Sequence, residues 1–462
     1  MTTPTELGSG RHFDLAVIGS GSGNSIADDS FRDWQVAILE KGTFGGTCLN
    51  VGCIPTKMFV YPADLAYGAA HADRLGVEAG LDGVRWREIR DRIFGRIDPI
   101  SAAGRKWRTA GRENVRLFEG HARFVDAHTI DTGTGETITA DHVVIATGSR
   151  PALPDVPGLL DVPFHTSDTV MRVDDVPGRV LILGGGFVAA EFAHVFSSFG
   201  AQVTLVNRSG RLLRAEDDDV SARFTELAAR RWDLRLDTLV SRLEPQGGGI
   251  LAHLDDGTSV EADLLLVATG RRSNSDLLDL DRAGVVVDDR GLVVVDDHQR
   301  TNVEGVWALG DVSNTFQLKH VSNAEARTIQ HNLRHPDDLA STDHVNVPSA
   351  VFSHPQVASI GLSEAEAAAQ GIPFVVGRRD YGGTAYGWAM EDDTSFAKVL
   401  ADPGTGRILG AHILGPQASV LIQPVVQAMS LGQTAHDVAR GQYWIHPALT
   451  EVVENALLAL ED

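Results

Sequence analysis

Two stretches of this chain impose the same local fold, and together they constrain everything else. "FDLAVIGSGSGN" (Phe13–Asn24) is an apolar run followed by Gly19 and Gly21. Nineteen residues past Gly21, a second apolar run, "VAILEKG", reaches Glu40. "RVLILGGGFVAAEFAHVF" (Arg179–Phe196) repeats the pattern with Gly184 and Gly186, and puts Ala189 where a third glycine would stand. An apolar strand, a G-x-G turn and a helix make a βα unit of a parallel sheet, whose turn brings backbone to a pyrophosphate at the helix N-terminus. Two copies predict an α/β chain with two Rossmann-like dinucleotide-binding domains. The first copy departs from the pattern. Asn24 replaces its third glycine, and only "SIADDSFRDW", short and acidic, is available for its helix.

The two copies end differently. Glu40 suits a ribose hydroxyl, whereas the second copy ends on Asn207, with Arg208 next and Arg214 six residues on. A carboxylate repels a 2′-phosphate and arginines clamp it. The first site therefore fits a cofactor without that phosphate and the second fits NADPH, unless both arginines are solvated surface charges.

Two further segments repeat: "DHVVIATGSRP" (Asp141–Pro151) and "ADLLLVATGRRSN" (Ala262–Asn274) are apolar strands ending in Ala-Thr-Gly-x-Arg. Each is expected to close one nucleotide-binding sheet. "GVWALGDVS" (Gly305–Ser313) then places Asp311 at a strand's carboxyl end, where ligands of open α/β sheets sit. Beyond about Asn346 β-rich runs precede apolar helical stretches, which predicts an α+β domain. The expected order is a first nucleotide-binding domain (1–150), an NADPH-binding domain (151–272), the second part of the first or a central domain (273–345) and a C-terminal α+β domain (346–462).

The chain has only two cysteines, Cys48 and Cys53, both in "GGTCLNVGCIPTK". A zinc site would need further ligands, and no other Cys or His flanks the pair at ligand spacing; no metal is expected. In a regular helix, residues five apart are roughly 8.6 Å apart at Cα, while a disulfide needs less than about 7 Å. Gly52 and Asn50 can break that regularity, and Pro55 suits the first turn of a following helix. A bridge there would sit at a distorted helix N-terminus, where the dipole favours a thiolate; two unrelated buried thiols remain the alternative.

Composition excludes some partners. A formal charge of −22 argues against nucleic acid and anionic membranes, and no apolar run approaches the roughly 20 residues that span a bilayer. "MTTPTELGSGRH" is expected to be a short disordered tail, and the cytoplasm is the default location.

The cysteine motif, both dinucleotide patterns, the Ala-Leu-Gly-Asp strand and a C-terminal His-Pro-x3-Glu occur in an order that resembles the pyridine nucleotide–disulfide oxidoreductases, over nearly the whole chain. The resemblance implies a homodimer that carries hydride from NADPH through FAD to a Cys48–Cys53 disulfide. It makes Cys48 the interchange thiol, sets Cys53 against the flavin, and places a Lys57–Glu191 ion pair beside the flavin's reactive nitrogen. It assigns Gly19, Ser20, Gly21, Glu40, Lys41, Thr47, Cys48, Thr147, Gly148 and Asp311 to FAD, with the Gly120-His121-Ala122 turn at its adenine. Gly184, Gly186, Phe187, Val188, Glu191, Asn207, Arg208, Arg214 and Gly270 fall to the second nucleotide.

In "YWIHPALTEVVENALL", His446 and Glu451 are five apart, so one regular helix would not aim both at one point. Pro447 suggests that His446 precedes the helix and Glu451 lies in its first turn. The resemblance makes His446 the acid–base partner of the other subunit's disulfide, oriented by Glu451. Ala448 replaces the family's usual Thr, which leaves one local hydrogen bond open.

Mercuric and high-molecular-weight thioredoxin reductases need extra C-terminal cysteines, and lipoamide dehydrogenases usually keep an acid where Asn207 stands. That leaves low-molecular-weight disulfides. Only five of the 40 basic residues are lysine (Lys41, Lys57, Lys106, Lys319, Lys398), a bias that suits a GC-rich genome such as an actinobacterium's. The segments "GTFGGTCLNVGCIPTKMFVYPADL", "DYGGTAYGWAMED" and "ARGQYWIHPALTEVVENALL" resemble those of the family's reductases of mycothiol disulfide, and that resemblance makes mycothiol disulfide the expected substrate. Glutathione disulfide and lipoamide are rivals within the class, and a non-catalytic flavin-binding protein is the rival outside it. Residues that grip a substrate's sugar are not readable. Tyr61, Trp388 and Glu391 are candidates, with core packing the expected role of Trp388.

Overall fold

In the computed structural model, which describes residues 10–461, each strand–turn pattern seeds its own parallel sheet. The chain divides into two compact units. The first comprises residues up to Thr56, Arg90–Ala152 and Arg271–His344, and the second comprises Lys57–Ile89, Leu153–Gly270 and the chain from Val345 on.

The first unit's parallel strands lie in the order Val115–Phe118, Val36–Leu39, Arg11–Ile18, Thr137–Ile145. Val36–Leu39 is buried along its whole length, as a parallel strand covered on both faces must be. Apolar clusters fill the two faces, one around Phe13, Phe124 and Ile145, the other around Leu15, Phe31 and Ile329. Thr137–Ile145 does not close the sheet as expected. It is nine residues long, and its two halves take different neighbours on its outer edge. Thr137–Thr139 pairs antiparallel with Thr129–Asp131, while Val143–Ile145 pairs parallel with Val306–Ala308, the strand that leads to Asp311.

Two other expectations fail in this unit. Residues 1–9 of the expected tail lie outside the described residues, but Arg11 and His12 already belong to the first strand, in register with Ile138 and Thr139. The first pattern also has no α-helix before Glu40, only the 3₁₀ turns Gly23–Ser25 and Asp29–Phe31. The carbonyls a helix would have satisfied are bonded by arginine instead. Arg108 donates to Asn24 O and Ala27 O, and Arg112 donates to Ala27 O and Asp28 O. Arg108 Nε also donates to Asn24 Oδ1 at 2.7 Å, so the residue replacing the third glycine anchors this arrangement.

Helices α1 (Gly46–Asn50) and α2 (Cys53–Ala70) follow, and α3 spans Trp86–Ala110. In the second unit the order is Asp233–Leu236, Gln202–Asn207, Arg179–Leu183, Leu264–Val267, all parallel, and the second pattern does form its helix, α4 (Phe187–Ser198). Helix α5 (Asp218–Ala229) follows. The chain beyond Asn346 forms a five-stranded antiparallel sheet, with the helix Glu451–Leu458 packed into its core. Trp388 is not in that core. It is 65% exposed, and its indole N–H donates to Gly382 O. Among the described residues no helix is long and apolar enough to cross a membrane.

Candidate active site

The two Ala-Thr-Gly repeats meet the two glycine turns in the same way. Ala146 N donates to Ile18 O and Ala268 N to Leu183 O, both at 2.8 Å. A Cβ on Gly19 would lie 2.3 Å from Ala146 O, and one on Gly184 would lie 2.2 Å from Ala268 O. Both glycines also take positive φ, +108° and +121°, so neither position tolerates a side chain. Each unit thus holds a tight turn braced by its own Ala-Thr-Gly strand end.

In the first unit this leaves polar groups facing an open cradle. Among the described residues Thr147 Oγ1 is buried without a hydrogen-bond partner, and a Cβ on Gly148 would meet nothing within 4 Å. Glu40 accepts from Ser20 N (2.9 Å), Ser20 Oγ (2.6 Å) and Gly42 N (2.8 Å), which fixes its carboxylate beside the turn. Asp311 accepts from Ser149 Oγ at 2.7 Å, and Arg271 Nε donates to the same hydroxyl at 2.8 Å. In the Gly120-His121-Ala122 turn, Ala122 is buried and the His121 ring is 2.9 Å from Leu277 O. Lys41 and Thr47 are exposed. A buried unpaired hydroxyl, an oriented carboxylate and an open turn fit the ribose, phosphate and polyol groups of FAD.

The second unit fits NADPH. Gly186 caps α4 with no side-chain hydrogen bond, so the helix's first N–H groups are available to an anion, and Cβ positions on Gly186 and Gly270 face open space. Phe187, which opens the helix, is exposed, and Val188 is half-buried. Arg208 and Arg214 are exposed, and neither has an ion-pair partner among the described residues. Asn207 bonds its own loop, donating to Ser209 O and Arg211 O.

The cysteines lie where regular helix fails. Helix α1 ends at Asn50, Val51 leaves helical geometry (φ −144°, ψ 16°), and α2 restarts at Cys53 with Pro55 in its first turn. The bridge expected from the sequence is open here, and both residues are thiols. Cys48 is pushed well above its ordinary pKa, first by its hydrogen bond to Cys53 and then by burial. A thiol bonded to its neighbour keeps the two sulfurs adjacent, as one S–S bond requires.

Lys57 pairs with Glu191 in the second unit at 2.8 Å to each carboxylate oxygen. Glu191 is buried and also accepts from Phe352 N at 2.9 Å, while Lys57 Nζ lies 4.7 Å from the centre of the Phe352 ring. His446 Nδ1 is 2.7 Å from Glu451 Oε1, and Glu451 opens its helix as expected. The Ala448 backbone N–H donates to Glu451 Oε2 at 3.2 Å, while its methyl offers nothing in place of a Thr hydroxyl. Glu451 is held below the ordinary carboxylate range, chiefly by the bond from His446. A carboxylate on Nδ1 leaves Nε2 as the exchanging nitrogen, and His446 is 70% exposed.

Sequence reading missed Arg108, Ser149, Arg271 and Lys319. Arg271 stands inside the second Ala-Thr-Gly-x-Arg motif, but its Ser149 contact spans 122 residues and leaves no local signal.

The model of the pyridine nucleotide-disulphide oxidoreductases matches residues 13–327, and that of the family's dimerisation domain matches residues 347–457. A mycothione reductase of Mycobacterium tuberculosis is 53% identical over 97% of this chain and 99% of its own. A dihydrolipoyl dehydrogenase of Haloferax volcanii is 36% identical over 96% of each. Among solved structures, the Cu(II) complex of the HOCl-induced flavoprotein disulfide reductase RclA from Escherichia coli superposes with a TM-score of 0.86 at 26% identity, covering 97% of this chain and 99% of that one. FAD and NADPH are the cofactors of the family. Two braced glycine turns, a thiol pair at a helix start and a match along almost the entire length lead to one conclusion: this chain belongs to the pyridine nucleotide-disulphide oxidoreductases.

Proposed function

We propose that the protein reduces mycothiol disulfide to mycothiol, using NADPH and FAD through a Cys48–Cys53 disulfide, as a cytoplasmic homodimer. The chemistry rests on the thiol pair that spans the break between α1 and α2, Cys48 hydrogen-bonded to Cys53. The substrate rests on the 53% identity to a mycothione reductase, against 36% for a dihydrolipoyl dehydrogenase. Residues 1–150 and 273–345 take FAD, 151–272 take NADPH, and 346–462 make the dimer; the dimerisation-domain match, which begins at residue 347, supports the last boundary.

FAD, when bound, carries two electrons between the nicotinamide and the cysteine pair. Glu40, Thr147 and Asp311 hold it, and the Lys57–Glu191 pair fixes an ammonium beside its ring. Arg208 and Arg214 bind the 2′-phosphate of NADPH. Cys48 attacks the substrate disulfide, His446 of the partner subunit protonates the departing thiol, and Cys53 resolves the mixed disulfide. Glu451 holds that imidazole in the tautomer the step needs.

The test is NADPH consumption by the purified flavin-loaded protein, offered mycothiol disulfide, glutathione disulfide and lipoamide in parallel. Turnover with mycothiol disulfide alone is expected. Turnover only with another disulfide sinks the substrate assignment, and turnover that survives Cys48→Ser sinks the thiol chemistry.

A further inference from the structure

Lys319 opens the first unit's sixteen-residue helix α6 (Lys319–Arg334), and among the described residues its ammonium has no carboxylate partner. Nζ donates to Ser22 Oγ at 2.7 Å. Burial pushes the ammonium's pKa down, and only the ionised forms of Cys48 and Cys53 oppose that. The turn that carries Ser22 also meets the first cysteine's helix through glycine. Gly21, one residue before Ser22, lies against Gly46, the first residue of α1, so closely that a Cβ on Gly46 would sit 2.6 Å from Gly21 Cα. The turn that carries Ser22 and the helix that carries Cys48 therefore pack backbone to backbone, with Lys319 reaching in from α6.

A half-buried cation without a counter-ion is costly, and such a group is retained where a negative charge arrives. We propose that Lys319 is the fixed positive charge that balances the thiolate formed when the Cys48–Cys53 disulfide is reduced, with Ser22 holding its ammonium in place. This rests on the disulfide-reductase reading above. In that reduction one hydride equivalent from NADPH supplies two electrons, and the Sγ–Sγ bond breaks. One proton is left on Cys48 and Cys53 stays anionic. Cys53 is the first residue of α2, so the helix dipole adds to the ammonium's field. The titratable groups converging here are Cys48 from α1, Cys53 from α2 and Lys319 from α6. Ser22, from the glycine turn, is neutral. Lys319 is thus a positioning residue for charge, acting through the thiols.

The test uses full-length flavin-loaded enzyme reduced with dithiothreitol, so that the thiols are read whether or not NADPH reduces them. Iodoacetamide alkylation is followed against pH for wild type, Lys319→Met, Lys319→Arg and Ser22→Ala. Lys319→Met is expected to move the profile up by about one pH unit, lowering the rate at pH 7 about tenfold. Lys319→Arg should restore most of it, and Ser22→Ala should fall between. A Lys319→Met profile that superimposes on wild type overturns the proposal. So does a variant that loses flavin but matches wild type once flavin is restored, because the lysine's charge then answers to the cofactor alone. Separately, failure of NADPH to expose any new alkylatable thiol in wild type would overturn the disulfide-reductase reading while leaving the dithiothreitol titration of Lys319 intact.

Discussion

Glu451 offers the sharpest test of how the C-terminal dyad works, because two substitutions remove different parts of it. Gln at 451 keeps an oxygen that accepts the His446 Nδ1–H bond, which spans 2.7 Å, and so keeps the tautomer while losing the charge. A hydrogen bond to a charged group contributes about 1.5–3 kcal/mol and a neutral one about 1 kcal/mol. The difference, roughly 1–1.5 kcal/mol, predicts a five- to tenfold loss in disulfide turnover. Ala at 451 removes the acceptor altogether and also frees the Ala448 N–H. With the imidazole unoriented, most of the roughly 10²–10⁴-fold that general acid–base catalysis supplies should go. The assay splits the cycle: stopped-flow reduction by one equivalent of NADPH without disulfide, then steady-state turnover with it. The first should be unchanged in both variants and only the second should fall. Because His446 holds the Glu451 pKa below the ordinary carboxylate value of 4.5, the carboxylate stays ionised through neutral and mildly acidic assays, and the ranking should not change there. Glu451→Ala within threefold of wild type, or both half-reactions slowed alike, would refute the reasoning.

Three further outcomes are expected. Arg208→Ala and Arg214→Ala should each raise the KM for NADPH about 10–100-fold, the equivalent of one lost charged hydrogen bond, while leaving NADH kinetics unchanged; equal effects on both nucleotides would contradict the 2′-phosphate assignment. Lys398, 2% exposed, bonds Asp217, Asp219 and Glu364 at 2.6, 3.0 and 2.6 Å, so Lys398→Met should leave the buried Asp217 carboxylate without a cation and cost about 3–5 kcal/mol in urea unfolding; a loss under 1 kcal/mol would argue against it. His194 and His412 are buried with pKa values lowered by desolvation. Below pH 6.5 the unfolded chain therefore binds protons that the folded chain refuses, and thermal stability should fall as pH drops through that window, with a flatter profile in His194→Asn and His412→Asn.

What the sequence made legible was local chemistry. Glycine turns, the cysteine motif and His-Pro-x3-Glu declare themselves within a dozen residues, because each depends on backbone the chain builds next to itself. What stayed hidden depends on long-range packing. Nothing near "SIADDSFRDW" says that Arg108, 84 residues on, will satisfy its carbonyls in place of a helix. The strand Thr137–Ile145 reads as a sheet terminus until Val306–Ala308 pairs with its second half. Trp388 looked like core because tryptophan usually is, yet its five-residue helix and the turn before it leave the ring at the surface.

One compositional signal reached further than its first use. Thirty-five of the 40 basic residues are arginine, so each of the five lysines is a departure from a strong bias. One of them takes work that a planar guanidinium does poorly. Lys398 spreads its donors over three carboxylates from different directions. A compact ammonium on a flexible stem presents three donors in a tetrahedral spray, whereas arginine's fork is rigid and matches a single flat acceptor. Lys398 is therefore a position where arginine, abundant elsewhere in the chain, would leave at least one of Asp217, Asp219 and Glu364 unmet.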